Sequence, residues 1–301
     1  AITTRADMGQ DETCTPYLTA FVSALEENTE RAWELLAEIL TSTRFTDSDR
    51  MAEMFRQNEL GVRQRILGAG HLIGVKNVLS HYSAEGAVKN ALDGDEAARY
   101  VHDLAKAPEK AMPELLLLAE RLMKNTFCRR RMNVSLTASG EFSPEKLIAA
   151  FPEGTEAPGA RAYRTTSPLA RGYRIPAQIG FAVRGYRLSR IGRKFEGSMW
   201  LAASILSLGY LWNRVRVQGG AYGAGIQIDR SGNLFSYSYR DPTPGKTLTA
   251  DSGASAFLRE FVEAGEDLDQ YIISALNELN PLLSPRDQGA LADGRYKIGR
   301  A

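Results

Sequence analysis

The sequence predicts an α+β fold with two related domains, each a mainly antiparallel sheet packed with helices. One observation is the element order: strands and a run of helices, and then, after residue 126, strands and helices again. Another is a hairpin pattern, in which two alternating runs flank the turn Arg230-Ser231-Gly232-Asn233. A third is size, because 301 residues with 44% hydrophobic content suffice for two ordinary domains. We therefore expect domains at residues 1–126 and 127–301.

The first half is predicted to start with two strands and to continue with helices. The strands are residues 1–5 and the alternating run 17–25. Helical spacing of apolar residues indicates a helix over 30–40, and the polar cluster 46–49 is typical of the N-cap of a second helix that reaches about residue 67. Further helices are expected at 71–82, 95–105 and 113–124.

The second half repeats this plan with more strands. Residues 132–136 and the alternating run 175–183 are predicted strands, and Pro144 opens a short helix. A mostly apolar helix over 197–212 leads into the hairpin. Helices are expected afterwards at 248–263, 268–279 and 286–296.

Charge, hydropathy and cysteine content give no global signal for nucleic acid, a membrane or a disulfide scaffold. With 37 basic and 36 acidic residues the net charge is +1, so no global field directs the chain to nucleic acid or to a membrane. No apolar run approaches the ~18 residues that span a bilayer, and the first residues are not those of a signal peptide. The two cysteines fit a reducing compartment rather than a disulfide scaffold.

Metal binding is not expected in this chain. The three histidines, His71, His81 and His102, stand in neither H-E-x-x-H nor H-x-x-E-H. A catalytic zinc site needs about three protein ligands, and no cluster in the sequence offers them. We therefore predict no metal and no cofactor here.

One segment, residues 158–195, is rich in arginine and tyrosine and contains no acid. Such a segment could hold single-stranded nucleic acid through phosphates and base stacking. Alternatively, the cations flank the predicted strand 175–183 and form a solvated or interdomain face. We favour the second interpretation, because the whole chain is near neutral and has no nucleic-acid motif. Its cations are Arg161, Arg164, Arg171, Arg174, Arg184, Arg187, Arg190, Arg193 and Lys194.

The segment before the hairpin places Arg216 and Tyr222 six residues apart across Gly219 and Gly220, where the chain can turn sharply. A cation and a phenol beside such a turn could grip a polarised carbonyl or a carboxylate. The alternative is packing, with Arg216 paired to a surface carboxylate and Tyr222 in the sheet, and spacing alone favours it. The glycines that follow, at 223 and 225, leave one strand face nearly bare, which permits close approach of another element.

Three runs carry a resemblance to a known family: LGYLWNRVRVQGGAYGAG at 208–225, IPAQIGF at 175–181 and FSYSYRDP at 235–242. They resemble the C-terminal half of pitrilysin/insulinase metallopeptidases, in the presequence protease branch. The resemblance extends over nearly the whole chain. It implies four related α+β domains in two bowl-shaped halves that close around an unfolded peptide. By the same resemblance this chain is one half-bowl, whose first domain is truncated at its N-terminal side.

The resemblance also implies a division of labour. The family's zinc motif H-x-x-E-H belongs to the N-terminal half and is absent here, so zinc is expected only in that partner half. Arg216 and Tyr222 are implied to contact the substrate carbonyl and to stabilise the oxyanion, beside substrate-binding Gly219 and Gly220. This chain alone should not hydrolyse peptides. The resemblance implies that the protein is located in a bacterial cytoplasm or an organelle matrix. An alternative function is that of a stand-alone, non-enzymatic structural or regulatory partner subunit.

Overall fold

The structure of this chain, a computed structural model, describes residues 2–5, 11–140, 142–156, 159, 161–167, 169–279 and 281–297. It confirms the α+β class, with two antiparallel sheets of three strands, ordered β1-β2-β3 and β4-β6-β5. The strands are β1 (Ile2–Arg5), β2 (Thr13–Leu18), β3 (Arg161–Ala162), β4 (Val183–Arg187), β5 (Gly223–Ile228) and β6 (Asn233–Tyr239).

Helices make up most of the remaining described chain. They are α1 (Thr29–Ser42), α2 (Ser48–Leu79), α3 (Ala84–Asp93), α4 (Asp95–Lys106), α5 (Pro108–Thr126), α6 (Glu145–Ala149), α7 (Gly197–Ile205), a π-helix (Leu206–Val217), α8 (Pro244–Ala250), α9 (Ala254–Glu263), α10 (Asp269–Leu279) and α11 (Pro285–Lys297). Within the described residues, no helix combines the length and the apolar character needed to cross a membrane.

The long helix α2 organises the centre of the fold. It starts where the polar cluster predicted, with the Asp47 carboxylate accepting from the Arg50 N–H at 2.8 Å. It continues through the region where the sequence suggested two helices, and the backbone is non-helical only at Ala69, where the helix kinks. The two predicted helices are therefore one kinked helix of 32 residues.

Helix α2 packs closely against the second sheet because glycines remove side chains from the contact. A Cβ on Gly70 would lie 2.7 Å from the Phe181 ring, and one on Gly74 would lie 2.9 Å from Cγ2 of Val183. Neither separation leaves room for a methyl group. Helix α2 precedes residue 126 and this sheet follows it, so these contacts cross the expected domain boundary, which stays a prediction.

The opposite face of the second sheet packs on α7 and the π-helix. Leu211, Val215 and Ala221 are almost fully buried there. The outer edge of β5 is covered by side chains of the same helices: the Ser207 hydroxyl bonds the N–H and the carbonyl of Ile226, and the Trp200 indole donates to the Ile228 carbonyl at 2.7 Å. The second sheet is thus enclosed by helices on both faces.

Three predicted strands are wrong in extent or kind. The strand expected at 17–25 ends at Leu18, because Leu18 lies opposite Ile2 and the described part of β1 offers no partner beyond it. Residues 132–136 form no strand, since Arg131 and Met132 close a tight turn instead. In 175–183 the Ala177 N–H turns back to the Ile175 carbonyl, and Gly180 makes only an isolated bridge with Asp241 before β4 begins at Val183. Helix α3 was not predicted at all.

Candidate functional site

The π-helix, the turn after it and the start of β5 position the predicted site. Gly220 has φ +79°, which side-chain-bearing residues rarely adopt, and its N–H donates to the Arg216 carbonyl at 3.0 Å. A Cβ on Gly219 would lie 2.5 Å from the Val215 carbonyl oxygen. Gly219 therefore leaves no room for a side chain, and the φ of Gly220 favours glycine. The turn folds the chain back so that Tyr222 returns towards Arg216.

The structure brings Arg216 and Tyr222 together. The guanidinium carbon of Arg216 lies 3.8 Å from the centroid of the Trp212 ring and 6.0 Å from that of Tyr222. Tyr222 is 67% exposed, so it is not packed into the sheet. Among the described residues, neither the guanidinium nor the phenol hydroxyl has a hydrogen-bond or ion-pair partner. Within the described part of the chain, this geometry therefore lacks the carboxylate partner and the buried phenol that the packing alternative expects. The role of both residues stays a prediction.

Tyr222 is held by backbone and ring contacts at the end of the sheet. Its N–H lies 3.1 Å from the Tyr239 carbonyl and 3.3 Å from that of Arg240. Its ring meets the Tyr239 ring edge-on, with the ring centroids 5.6 Å apart. The Tyr239 ring in turn contacts the His71 ring of α2, with the centroids 5.0 Å apart. His71 also stacks on Tyr237 at 5.3 Å. We call Tyr222, Tyr239, His71 and Tyr237 the aromatic row.

The aromatic row fills the strand face that the glycines leave bare. Gly223 lies opposite Tyr239 and Gly225 opposite Tyr237 in the register of β5 and β6. The Tyr237 hydroxyl would be 3.2 Å from a Cβ on Gly225. The expected close approach is therefore made by rings of the neighbouring strand, which cover glycine backbone that has no side chain of its own.

His71 serves this row as a neutral ring. Burial lowers its pKa below the ordinary histidine value, and its Nδ1 is a buried atom without a hydrogen-bond partner among the described residues. An uncharged imidazole at neutral pH packs against tyrosine rings without the desolvation cost of an ion. No local sequence signal indicates this contact, because His71 is remote along the chain from Tyr237 and Tyr239.

The chain after β6 packs against the Gly219–Gly220 turn. Asp241 is 1% exposed, and its carboxylate accepts from the Thr247 hydroxyl at 2.5 Å and from the Thr243 N–H at 2.7 Å. Pro242, the next residue, comes within 3.4 Å of where a Cβ on Gly220 would be. Asp241 is not among the predicted site residues, although Asp followed by Pro and Thr is typical of a side-chain-stabilised turn. Trp212, one helical turn before Arg216, is not among them either.

Each of the three histidines contacts other groups of the fold. Nδ1 of His81 contacts the Thr166 hydroxyl at 2.7 Å, Nδ1 of His102 contacts Oε1 of Glu59 at 2.9 Å, and His71 lies in the aromatic row. No group of three or more His, Cys, Asp or Glu within the described part of the chain could hold a metal ion. The absence of a metal from this chain stays a prediction.

The arginine-rich segment divides into one buried cation and an exposed remainder. Arg187 is 2% exposed and bonds Asp11 and Asn233. No other cation of the segment has a carboxylate within 4.0 Å among the described residues, and Arg184 donates to the Leu248 carbonyl. Residues 157, 158, 160 and 168 lie outside the described residues. Nucleic-acid binding by this segment stays a hypothesis, and so does its absence.

Comparison with known proteins gives two family matches. The family described as "PreP C-terminal domain" matches residues 171–300, and a family described as associated with the C group of the M16 peptidases matches residues 1–104. Together they include Arg216, Tyr222 and most of both sheets.

Several curated relatives align along most of the chain. Protein HypA of Clostridium perfringens is 26% identical over 298 residues, which is 97% of this chain and 30% of HypA. Presequence protease 1, chloroplastic/mitochondrial, of Arabidopsis thaliana is 26% identical over 299 residues, which is 97% of this chain and 28% of the relative. The mitochondrial presequence protease of Saccharomyces cerevisiae is 23% identical over 88% of this chain and 29% of its own length. The chain thus spans less than a third of these relatives.

A solved structure, the peptidase M16 inactive domain from Pseudomonas fluorescens, has a similar fold. Its TM-score is 0.59 at 15% identity, and the match covers 92% of this chain and 66% of that one. At this identity the likeness establishes the fold alone.

Proposed function

Because this chain belongs to the presequence protease branch of the M16 peptidases and corresponds to their C-terminal half, we propose that it supplies Arg216 and Tyr222 to a peptide-enclosing chamber. In this proposal the partner is the N-terminal half of the same polypeptide, which holds the zinc. The substrate is an unfolded peptide enclosed between the halves.

The observation that carries the proposal is the pairing of two unpartnered donors across a turn that favours glycine. A guanidinium and a phenol offer N–H and O–H groups, and a peptide carbonyl oxygen offers only lone pairs. Arg216 is held by stacking on Trp212, and Tyr222 by Tyr239, so both donors are oriented before a ligand arrives. Preorganised donors stabilise an oxyanion more effectively than mobile ones, because no reorganisation is needed as charge develops.

The glycines have a separate part in the proposal. Gly220 is exposed and Gly219 half-exposed, and neither carries a side chain that could block an approaching peptide backbone. We assign them to substrate binding, with Arg216 and Tyr222 as the residues that contact the reacting carbonyl. The names of the relatives refer to mitochondria and chloroplasts, and an organelle matrix or a bacterial cytoplasm is the compartment we propose for this chain.

The test is reconstitution of peptide cleavage with the zinc-bearing half. Tyr222→Phe and Arg216→Gln should each lower kcat by about 10²-fold, the usual effect of removing one oxyanion donor, with little change in KM. Tyr100→Phe is the matched control, since Tyr100 is similarly exposed on α4 and remote in sequence from the turn. Unchanged kcat in both site variants would refute the catalytic assignment. A complex that assembles but cleaves nothing with the unmodified chain would favour the non-enzymatic subunit.

A further inference from the structure

Two adjoining cavities lie away from the Arg216 and Tyr222 turn, and His81 and Thr166 line both of them. One has a volume of about 480 Å³ and the other of about 520 Å³. They occur beside the end of β4 that carries Tyr186, whereas Tyr222 lies at the opposite end of the sheet, next to Tyr239. Neither cavity takes part in the function proposed above.

His81 lines both cavities and carries one buried polar atom without a partner among the described residues. The residue is 4% exposed, and its Nε2 is a buried atom with no hydrogen-bond partner among the described residues. Its Nδ1 is 2.7 Å from the Thr166 hydroxyl and 3.3 Å from the Thr166 carbonyl. The shorter contact is typical of a hydroxyl donor, and the longer one exceeds the usual N–H···O range. From these distances we assign Nδ1 as the acceptor and Nε2 as the nitrogen that carries the imidazole hydrogen.

A buried N–H without an acceptor is rare, and an occupant that supplies one would stabilise the site. The charges around the cavities favour an anion. Arg190 lines the larger cavity, which has no carboxylate in its wall among the described residues. The smaller cavity has Arg99, Arg171 and Glu96, with Arg99 already paired to Asp95 at 2.7 Å. Arg190 is thus the cation beside His81 that has no carboxylate in the wall of its cavity. The nearby Asp11 carboxylate, whose pKa Arg190 helps to lower, is hydrogen-bonded to Arg187 and Ser189.

The same cavity also offers an apolar surface. Tyr82 and Tyr186 line it, with ring centroids 5.7 Å apart, and the Tyr82 hydroxyl is already engaged with the Gly185 carbonyl at 3.1 Å. An occupant that combines a carboxylate with an adjoining apolar side chain would use both features. A bare inorganic anion would use only the cation and the imidazole.

We propose that this cavity binds the C-terminal carboxylate of a short peptide. The carboxylate accepts from Nε2 of His81 and from the Arg190 guanidinium, and the last side chain of the peptide packs on Tyr82 and Tyr186. The proposal rests on the proposed function in taking a peptide as the ligand. Peptide hydrolysis creates a new terminal carboxylate at each cleavage, so the site would hold products or trimmed substrates.

Calorimetric titration of the 301-residue chain tests the proposal without any zinc-bearing half. The probes are an N-acetylated pentapeptide ending in Phe, the same peptide with a C-terminal amide, and inorganic phosphate. We expect the free carboxylate to bind and the amide to bind at least ~10-fold more weakly, because a hydrogen bond to a charged group is lost. Arg190→Gln and Thr166→Val should each lower the affinity for the peptide with the free carboxylate by about 10-fold. Arg193→Gln is the matched control, since Arg193 is exposed in the same segment but lines neither cavity.

Equal affinities for the acid and the amide would overturn the proposal. So would an equal loss in Arg190→Gln and Arg193→Gln, which would indicate unspecific attraction to the basic segment. Binding of phosphate alone would assign the site to inorganic oxyanions instead. Because Arg216 and Tyr222 are intact and no turnover is measured, a failed reconstitution of cleavage leaves this result unaffected.

Discussion

The ion pair between Arg187 and Asp11 offers a quantitative test of the fold, because it joins the start of the described core to the second sheet. The Arg187 guanidinium donates from Nε to Oδ1 of Asp11 at 2.7 Å, and from Nη1 to Oδ1 of Asn233 at 2.6 Å. The arginine side chain is 3% exposed and the aspartate side chain 20%. Arg187→Met removes the guanidinium and keeps an apolar side chain in the buried space.

The expected loss follows from what the substitution leaves behind. Asp11 keeps its charge and the hydrogen bond from the Ser189 hydroxyl, and Asn233 loses a donor to its side-chain oxygen. Breaking a buried pair on one side costs about 3–5 kcal/mol, and the partial exposure of Asp11 places this case near the lower end, at about 3 kcal/mol. Asp11→Asn in the Arg187→Met background should restore part of this loss, because no unpaired charge remains.

Urea denaturation followed by circular dichroism measures the free energy of unfolding of the two single variants and the double variant. A coupling energy above about 1 kcal/mol is expected for groups in direct contact. A loss below about 1 kcal/mol for Arg187→Met, or additive single losses, would refute this account of the contact.

The pH dependence provides an independent check on the same pair. Burial alone raises the pKa of Asp11, but the hydrogen bonds from Arg187 and Ser189 outweigh it, so the pKa lies below the ordinary aspartate value. A lowered folded-state pKa means that the contribution is fully present above the unfolded value of about 3.9 and is lost as the pH falls through the folded value. Asp11→Asn should remove this component of the acid destabilisation, and an unchanged acid profile would contradict the assignment.

Two further outcomes follow from the turn and from the first sheet. Gly220→Ala should lower the free energy of unfolding by about 1–2 kcal/mol, because the φ of Gly220 is +79°. Gly220→Asn should lower it less, since asparagine tolerates this region of backbone conformation. Equal losses of stability in thermal denaturation would argue against backbone strain. Burial, with a further contribution from Glu85, raises the pKa of the Cys14 thiol to about 11, and the side chain is 1% exposed. Iodoacetamide at pH 8 should therefore alkylate Cys14 much more slowly in the folded chain than in urea, as peptide mass spectrometry would report, and equal rates would contradict the burial.

Sequence-based prediction succeeds best where local signals decide the structure. The hairpin around Gly232, the N-cap at Asp47 and the helix after Pro144 depend on turn and capping residues a few positions apart. The predicted strand at 175–183 is wrong because alternation alone supplies no partner: Pro176 lacks an N–H, and the chain turns at Ala177. Whether an alternating run becomes a strand depends on hydrogen-bonding neighbours that are distant in sequence.

In the candidate site, too, local signals predict some contacts, whereas contacts between distant parts of the chain could not be predicted. The nearness of Arg216 and Tyr222 was predictable from the glycines between them, because a sharp turn returns the chain on itself. Tyr239 and His71 could not be identified in this way, since β6 and α2 reach Tyr222 only through tertiary packing. The glycines of α2 were visible in the sequence, but nothing local indicated that Gly70 and Gly74 would face Phe181 and Val183.

The covering of the β5 edge limits how this protein can associate with other chains. An open strand edge is a template for intermolecular pairing and aggregation. Here Ser207 and Trp200 occupy hydrogen-bonding groups of Ile226 and Ile228 that would otherwise face a new strand. A peptide that arrives beside the Gly219–Gly220 turn consequently cannot extend the sheet along these residues. Intermolecular strand pairing along Ile226 and Ile228 is therefore blocked by the protein's own side chains.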